Sequence, residues 1–167
     1  TVAKMSATGT ASASTFLRGD NTWGNPFTYM SATGGTITTD GDFKVHTFNS
    51  SATFTVTTLG QLASVQYLVI AGGGGGGKGF SGGGGAGGYL TGNLAVTETG
   101  YSVTVGAGAA TQSTGETDGN DGNDSIFSSI TSDGGGGGGT GVSGGGNNGH
   151  AGGSGGGGGG SATSGTS

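Results

Sequence analysis

Chemistry in this 167-residue chain would have to be carried by few side chains. The histidines His46 and His150 lie far apart, and no Ser, Cys or carboxylate is spaced with either as a nucleophile and base. The carboxylates Glu98, Glu116, Asp118, Asp121 and Asp124 include no pair held across a rigid groove, as glycoside cleavage requires. No catalytic residue is assigned, and the expectation is a protein that is not an enzyme. "DGNDGNDSIF" (118–127) offers hard oxygen donors at short spacing, the chemistry of calcium. As an EF-hand loop it fails: glycine is misplaced and Ser129 stands where the terminal glutamate belongs. A single copy also fails the repeated pattern of calcium β-rolls. It reads as a tight turn rich in Asn, Asp and Gly. No metal site and no cofactor are expected. "GKGF" (77–80) lacks the Ser or Thr and the helix of a phosphate loop, and Arg18-Gly19-Asp20 is too short a match to imply adhesion.

What remains is recognition by surface side chains. Between glycine runs the chain places Lys78 and Phe80 in one connection, Thr111–Asn123 in a second, and Val142, Asn147, Asn148 and His150 in a third. Loops on a rigid scaffold are where binding concentrates. An aromatic ring, a cation and paired amides suit sugars, by stacking and hydrogen bonding. The expected contact residues are Lys78, Phe80, Asn147, Asn148 and His150.

The scaffold that must hold them is unusual. Glycine supplies 47 residues and proline one, Pro26. Collagen is excluded, because it needs glycine at every third position and abundant proline, whereas here glycines run in unbroken sixes. Net charge is −5 with four basic residues, so no positive stripe exists to neutralise phosphates, and nucleic acid is not an expected partner. No apolar stretch approaches 20 residues, so the chain is not expected to be membrane-embedded. Absence of cysteine removes disulfides and thiolate chemistry. A start at Thr1 reads as a processed chain or a piece of a longer one.

Residues 1–26, rich in Ser, Thr and Ala, read as an extended lead-in with Phe16, Leu17 and Trp23 too sparse for a core of their own. Residues 27–71 read as a β-strand region, with alternation over Phe43–Phe48 and in "ATFTVTTL" (52–59), and a continuous apolar strand in "SVQYLVIAG" (64–72), expected to be buried on both faces. Residues 72–167 read as a glycine-rich domain with interleaved strands: "GGYLTGNLAV" and "YSVTVGAG" as a hairpin across "TETG", and "SIFSSIT" (125–131) as one short strand. No window has helical periodicity. Glycine runs pinned at both ends by strands predict the polyproline-II-type conformation, about three residues per turn and about 3.1 Å rise. Its main-chain groups point outward, and only chains without side chains approach closely enough to pair them. Ser81, Ala86, Ala151 and Ser154 are expected at the rim. The fold class is therefore all-β without α-helix: a small antiparallel β-sandwich continuing into a packed polyglycine-II lattice.

"YLVIAGGGGGG", "YSVTVGAGA" and "NDSIFSSITSDGGGGGG", in that order, resemble the glycine-rich domain of bacteriophage tail-fibre and adhesin proteins, and "STFLRGDNTW" in the lead-in is similar to segments near the receptor-binding ends of phage fibres. The matches cover most of residues 9–160. The resemblance implies a virion protein, extracellular, acting at a fibre tip in host attachment. It implies three kinds of partner: a host cell-surface glycan or outer-membrane protein, other virion fibre proteins, and the chain itself as a homo-oligomer, a trimer in related fibres. A purely structural fibre or capsid-decoration module is the alternative. A third, a secreted ice-binding or matrix protein, would need a flat face of spaced threonines that the glycine runs lack.

Overall fold

The computed structural model describes residues 8–10, 12, 15–17, 22–24, 28–112, 115–142 and 145–160. Arg18-Gly19-Asp20 and most of the lead-in lie outside the described residues. In chain order the strands are β1 (Phe16–Leu17), β2 (Trp23–Gly24), β3 (Ser31–Thr33), β4 (Thr36–Asp40), β5 (Phe43–Thr47), β6 (Ala52–Thr58), β7 (Ser64–Ile70), β8 (Tyr89–Ala95), β9 (Gly100–Thr104), β10 (Ser125–Phe127), β11 (Ile130–Ser132), β12 (Gly141–Val142) and β13 (Gly145–Gly146). The described residues are all-β with no helix, arranged as several small antiparallel sheets.

Five strands, in the order β11-β10-β9-β6-β3, form the largest sheet. The alternation of β6 turns Phe54 and Val56 inward, where they join Val96 as the buried core. Val65 and Leu94, from the β7–β8 pair, pack on the same cluster, so this two-stranded sheet covers the five-stranded one. Aromatic edges lock the layers: Phe54 meets Phe127 with centroids 6.0 Å apart, and Phe127 meets Tyr67 at 6.3 Å.

Three sequence expectations differ here. The strands flanking "TETG" do not pair with each other: β8 pairs with β7, and β9 pairs with β6 and β10. The 125–131 segment is two strands, β10 and β11, because Ser128 takes a left-handed turn (φ 57°) and Phe127 then faces Ile130. Strand β7 is buried on one face only, with Leu68 and Ile70 54% and 57% exposed.

The pairing of β8 with β7 has a main-chain cause. Beyond Ile70↔Tyr89 the same antiparallel register runs on through glycine: Ala71, Gly74 and Gly77 donate to Gly88, Gly85 and Gly82. Ser64 to Ala95 is thus one long hairpin, half strand and half glycine, closing at Lys78–Ser81. The ladder changes character at Ala71. Above it, neighbouring residues pair in strand fashion; below it, every third residue pairs with a given neighbour.

That three-residue spacing organises the whole glycine region. Residues 134–141 are buried throughout. Going inward from its neighbours, Gly82, Gly85 and Gly88 donate to Gly139, Gly136 and Asp133, and Gly119 and Gly122 to Gly138 and Gly135. Asn147, His150 and Gly153 donate to Thr140, Gly137 and Gly134. In the other direction Gly135 and Gly138 donate to Gly72 and Gly75, and Gly136 and Gly139 to Ser154 and Gly157. Every C=O from Asp133 to Thr140 is satisfied, at 2.7–2.8 Å. Glycine is required by closeness, since a Cβ on Gly136 or Gly137 would strike the carbonyl oxygen of His150 or Gly119. The solvent-facing positions differ: a Cβ on Gly83 would meet nothing within 4 Å, and Ala86, Ala151 and Ser154 are exposed.

Candidate functional site

The N–H groups of Gly134, Gly137 and Thr140 have no main-chain acceptor. Their acceptors are side chains, the Oδ1 atoms of Asp124, Asp121 and Asp118, at 2.8, 2.8 and 2.7 Å. The three aspartates stand at every third position of an extended segment, not in a tight turn. On the same segment the Thr117, Asn120 and Asn123 carbonyls accept from Lys78, Gly75 and Gly72. A chain with three residues per turn brings Asp118, Asp121 and Asp124 to one side and the intervening glycines to another. The repeat Asp-Gly-Asn therefore matches the spacing of the buried run it lines, and its carboxylates substitute for a missing neighbouring chain.

A second row of side chains meets these carboxylates from residues 147–150. Asn147 Nδ2 donates to Asp118 Oδ1 at 3.1 Å; His150 Nδ1 lies 2.8 Å from Asp121 Oδ1, and its Nε2 3.7 Å from Asp118 Oδ2. The Thr140 N–H, then Asn147 and His150, hold the Asp118 carboxyl below its ordinary range; the Gly137 N–H, then His150, do the same for Asp121. His150 is raised in turn, chiefly by its hydrogen bond to Asp121. Among the described residues no group of three His, Cys, Asp or Glu side chains is placed to hold a metal ion.

The expected contact residues fall into two sets. Asn147 and His150 turn toward the aspartate row. Lys78, Phe80 and Asn148 are exposed, Phe80 by 68%. Lys78, Phe80 and Asn147 are gathered at one end of the glycine region. The Lys78 N–H donates to Thr117 O and the Lys78 carbonyl lies 3.5 Å from the Thr140 hydroxyl; Thr140 O accepts from Asn147, and Phe80 O from Gly160. The strands β7, β8, β10 and β11 join the glycine runs at their other end, so this end is remote from the five-stranded sheet and the β7–β8 pair and carries only the short β12–β13 pair. Sequence reasoning did not single out Asp118, Asp121 and Asp124 as a unit; their period of three, shared with the predicted glycine conformation, was the available signal.

A family model described as "Glycine-rich domain" matches residues 47–167, well over half the chain. The chain belongs to the glycine-rich domain family. Neither a curated protein nor a solved structure matches it. The family match starts within β5 and takes in the core strand β6, so this glycine-rich domain includes part of the sheet as well as the runs. Among its described residues no helix is long and apolar enough to cross a membrane.

Proposed function

We propose that this glycine-rich domain is the distal part of a bacteriophage tail fibre, extracellular on the virion and without enzymatic activity, which attaches to a host cell-surface glycan or outer-membrane protein. In this reading the glycine segments are polyglycine-II helices packed as a lattice, and the lattice serves as a rigid stalk for the connections at its far end. The observation that carries the reading is the gathering of Lys78, Phe80 and Asn147 at the end remote from the five-stranded sheet and the β7–β8 pair, beside an exposed Asn148. Within a lattice where a Cβ collides with a neighbouring carbonyl, sequence variation has to be confined to such connections. Exposed stacking and amide hydrogen bonds are individually weak, about 0.5–1.5 kcal/mol, so attachment would draw on several copies per fibre.

The test is adsorption. Purified domain should bind host cells and compete with virions, and Lys78→Ser, Phe80→Ser and Asn148→Ser combined should lose binding while melting like the parent. Undiminished binding by the triple variant would remove the tip assignment. A purely structural fibre or capsid-decoration module is the second reading. It is favoured by the inward hydrogen bonds of Asn147 and His150, which tie two of the five expected contact side chains to the lattice. No adsorption by the unaltered domain would leave that reading standing.

A further inference from the structure

Among the described residues strand β7 is an edge strand: no strand but β8 pairs with it, and only at its far end does the chain entering β10 come alongside, where Gly72 donates to Asn123. Ala71 donates to Gly88 and Val96 to Ala63, both in the register Ile70↔Tyr89, so the odd-numbered residues of β7 exchange hydrogen bonds with β8. The N–H and C=O groups of Gln66, Leu68 and Ile70 therefore face the opposite edge, where the two-stranded sheet has no further strand among the described residues. Natural edge strands are blunted by charge, proline or a bulge. "SVQYLVI" has none of these.

This edge opens into a cleft of about 1410 Å³. Its lining takes in every residue of β7 but only Asn93 of β8, and every residue of β5 but only Asp40 of β4. Residues of both faces of each strand line it, as expected of a cleft that runs along the two edges left unpaired among the described residues, with Phe54 and Phe127 also in its wall. Tyr29, Phe43, Leu62, Leu68 and Ile70 line it while remaining more than half exposed. At about 100–150 Å² apiece they offer about 500–750 Å², most of the about 800 Å² per partner that a stable interface buries. The chain also carries a matching element. Strand β4, "TITTD", is exposed at all five residues, is β-branched at four of them and has no strand on its outer edge among the described residues. Its hairpin with β5 has two strands only, an arrangement marginally stable unless packed on something.

We propose that the β7 edge is an interface with a second copy of this chain, whose β4–β5 arm lays β4 along β7 and covers the apolar cleft. The contact is heterologous, arm to slot, so it closes into a ring or propagates. It does not depend on host attachment or on the lead-in.

The full chain is measured by sedimentation velocity and native mass spectrometry over a range of concentrations, with two variants at exposed positions, Leu68→Lys in the slot and Ile37→Asp in the arm. The unaltered chain should self-associate, and each variant should weaken association at least about tenfold. Mixed together, the two variants should recover one contact per pair, because each supplies the part the other lacks, and stop at dimers. Amide hydrogen exchange gives a second readout: Gln66, Leu68 and Ile70 should gain protection as concentration rises, while Val65, Tyr67 and Val69 are protected at every concentration. A monomer at all concentrations would overturn the proposal. So would association unaffected by Leu68→Lys, or protection of Gln66, Leu68 and Ile70 that does not follow concentration.

Discussion

Gly137→Ala adds a single methyl group to the middle of the buried run. The new Cβ would lie well inside contact distance of the Gly119 carbonyl oxygen, a main-chain atom that cannot rotate away. Relief requires segment 117–124 to move off the run, which strains or breaks Gly119 to Gly138, Gly122 to Gly135, and Gly137 to Asp121. Three hydrogen bonds at about 1 kcal/mol net each, with about 1–3 kcal/mol for overpacking, give a loss of about 4–6 kcal/mol. For a chain of this size that lowers Tm by about 10–20 °C. The matched control is Gly83→Ala, at a position with nothing within 4 Å of the added Cβ and no left-handed φ. There the alanine restricts the unfolded chain and should raise stability by about 0.4–1 kcal/mol. Differential scanning calorimetry of the two variants separates the cases. Equal melting of Gly137→Ala and the parent would refute the close-packed glycine core; equal damage from Gly83→Ala would refute the assignment of inner and outer positions.

Asp121→Ala should leave the buried Gly137 N–H without an acceptor and cost about 1–3 kcal/mol, while Asp121→Asn, which keeps an acceptor oxygen, should cost less; urea titration of both checks this. The pH profile has two limbs. Lowered Asp118 and Asp121 add stability above their ordinary value of 3.8 that is lost as pH falls through their folded values, and raised His150 adds stability below 6.5 that is lost as pH rises through its folded value. Tm should therefore be highest between those ordinary values, and His150→Gln should remove the alkaline limb and also shrink the acid limb, because His150 helps to lower Asp118 and Asp121. Combined serine replacement of Lys78, Phe80 and Asn148 should shift Tm little, since these side chains are exposed, and any fall comparable to that of Gly137→Ala would give them a structural role.

Strand positions were legible because β5 and β6 have period two, β7 is a continuous apolar run, and all three are rich in β-branched and aromatic residues. Strand partners were not. Proximity in sequence favoured a hairpin across "TETG", but 18 residues of mostly glycine between β7 and β8 proved to be a continuation of their ladder. A side-chain pattern cannot report a register carried by main-chain groups. The one-sided burial of β7 was hidden for a related reason: an apolar run reads the same whether a neighbouring layer or solvent faces it. Around the candidate site, exposure of Lys78, Phe80 and Asn148 followed from their place in connections. The inward ties of Asn147 and His150 did not, since they depend on "DGNDGND" acting as a straight segment with period three. Asn, Asp and Gly are strong turn residues in isolation, and here pairing along the segment overrides that local preference.

The saturated hydrogen bonding around residues 133–140 has a calorimetric consequence. Unfolding an ordinary core exposes apolar surface and raises heat capacity by about 0.45 cal/K/mol/Å², whereas exposing polar surface lowers it by about 0.26. A glycine core releases mostly peptide groups, so its contribution to the heat-capacity change is small or negative. The dome of stability against temperature, which in most proteins bends down toward the cold, is correspondingly flattened. A scaffold whose interior is main chain holds its shape over a broad span of temperatures, including those at which hydrophobic cores weaken.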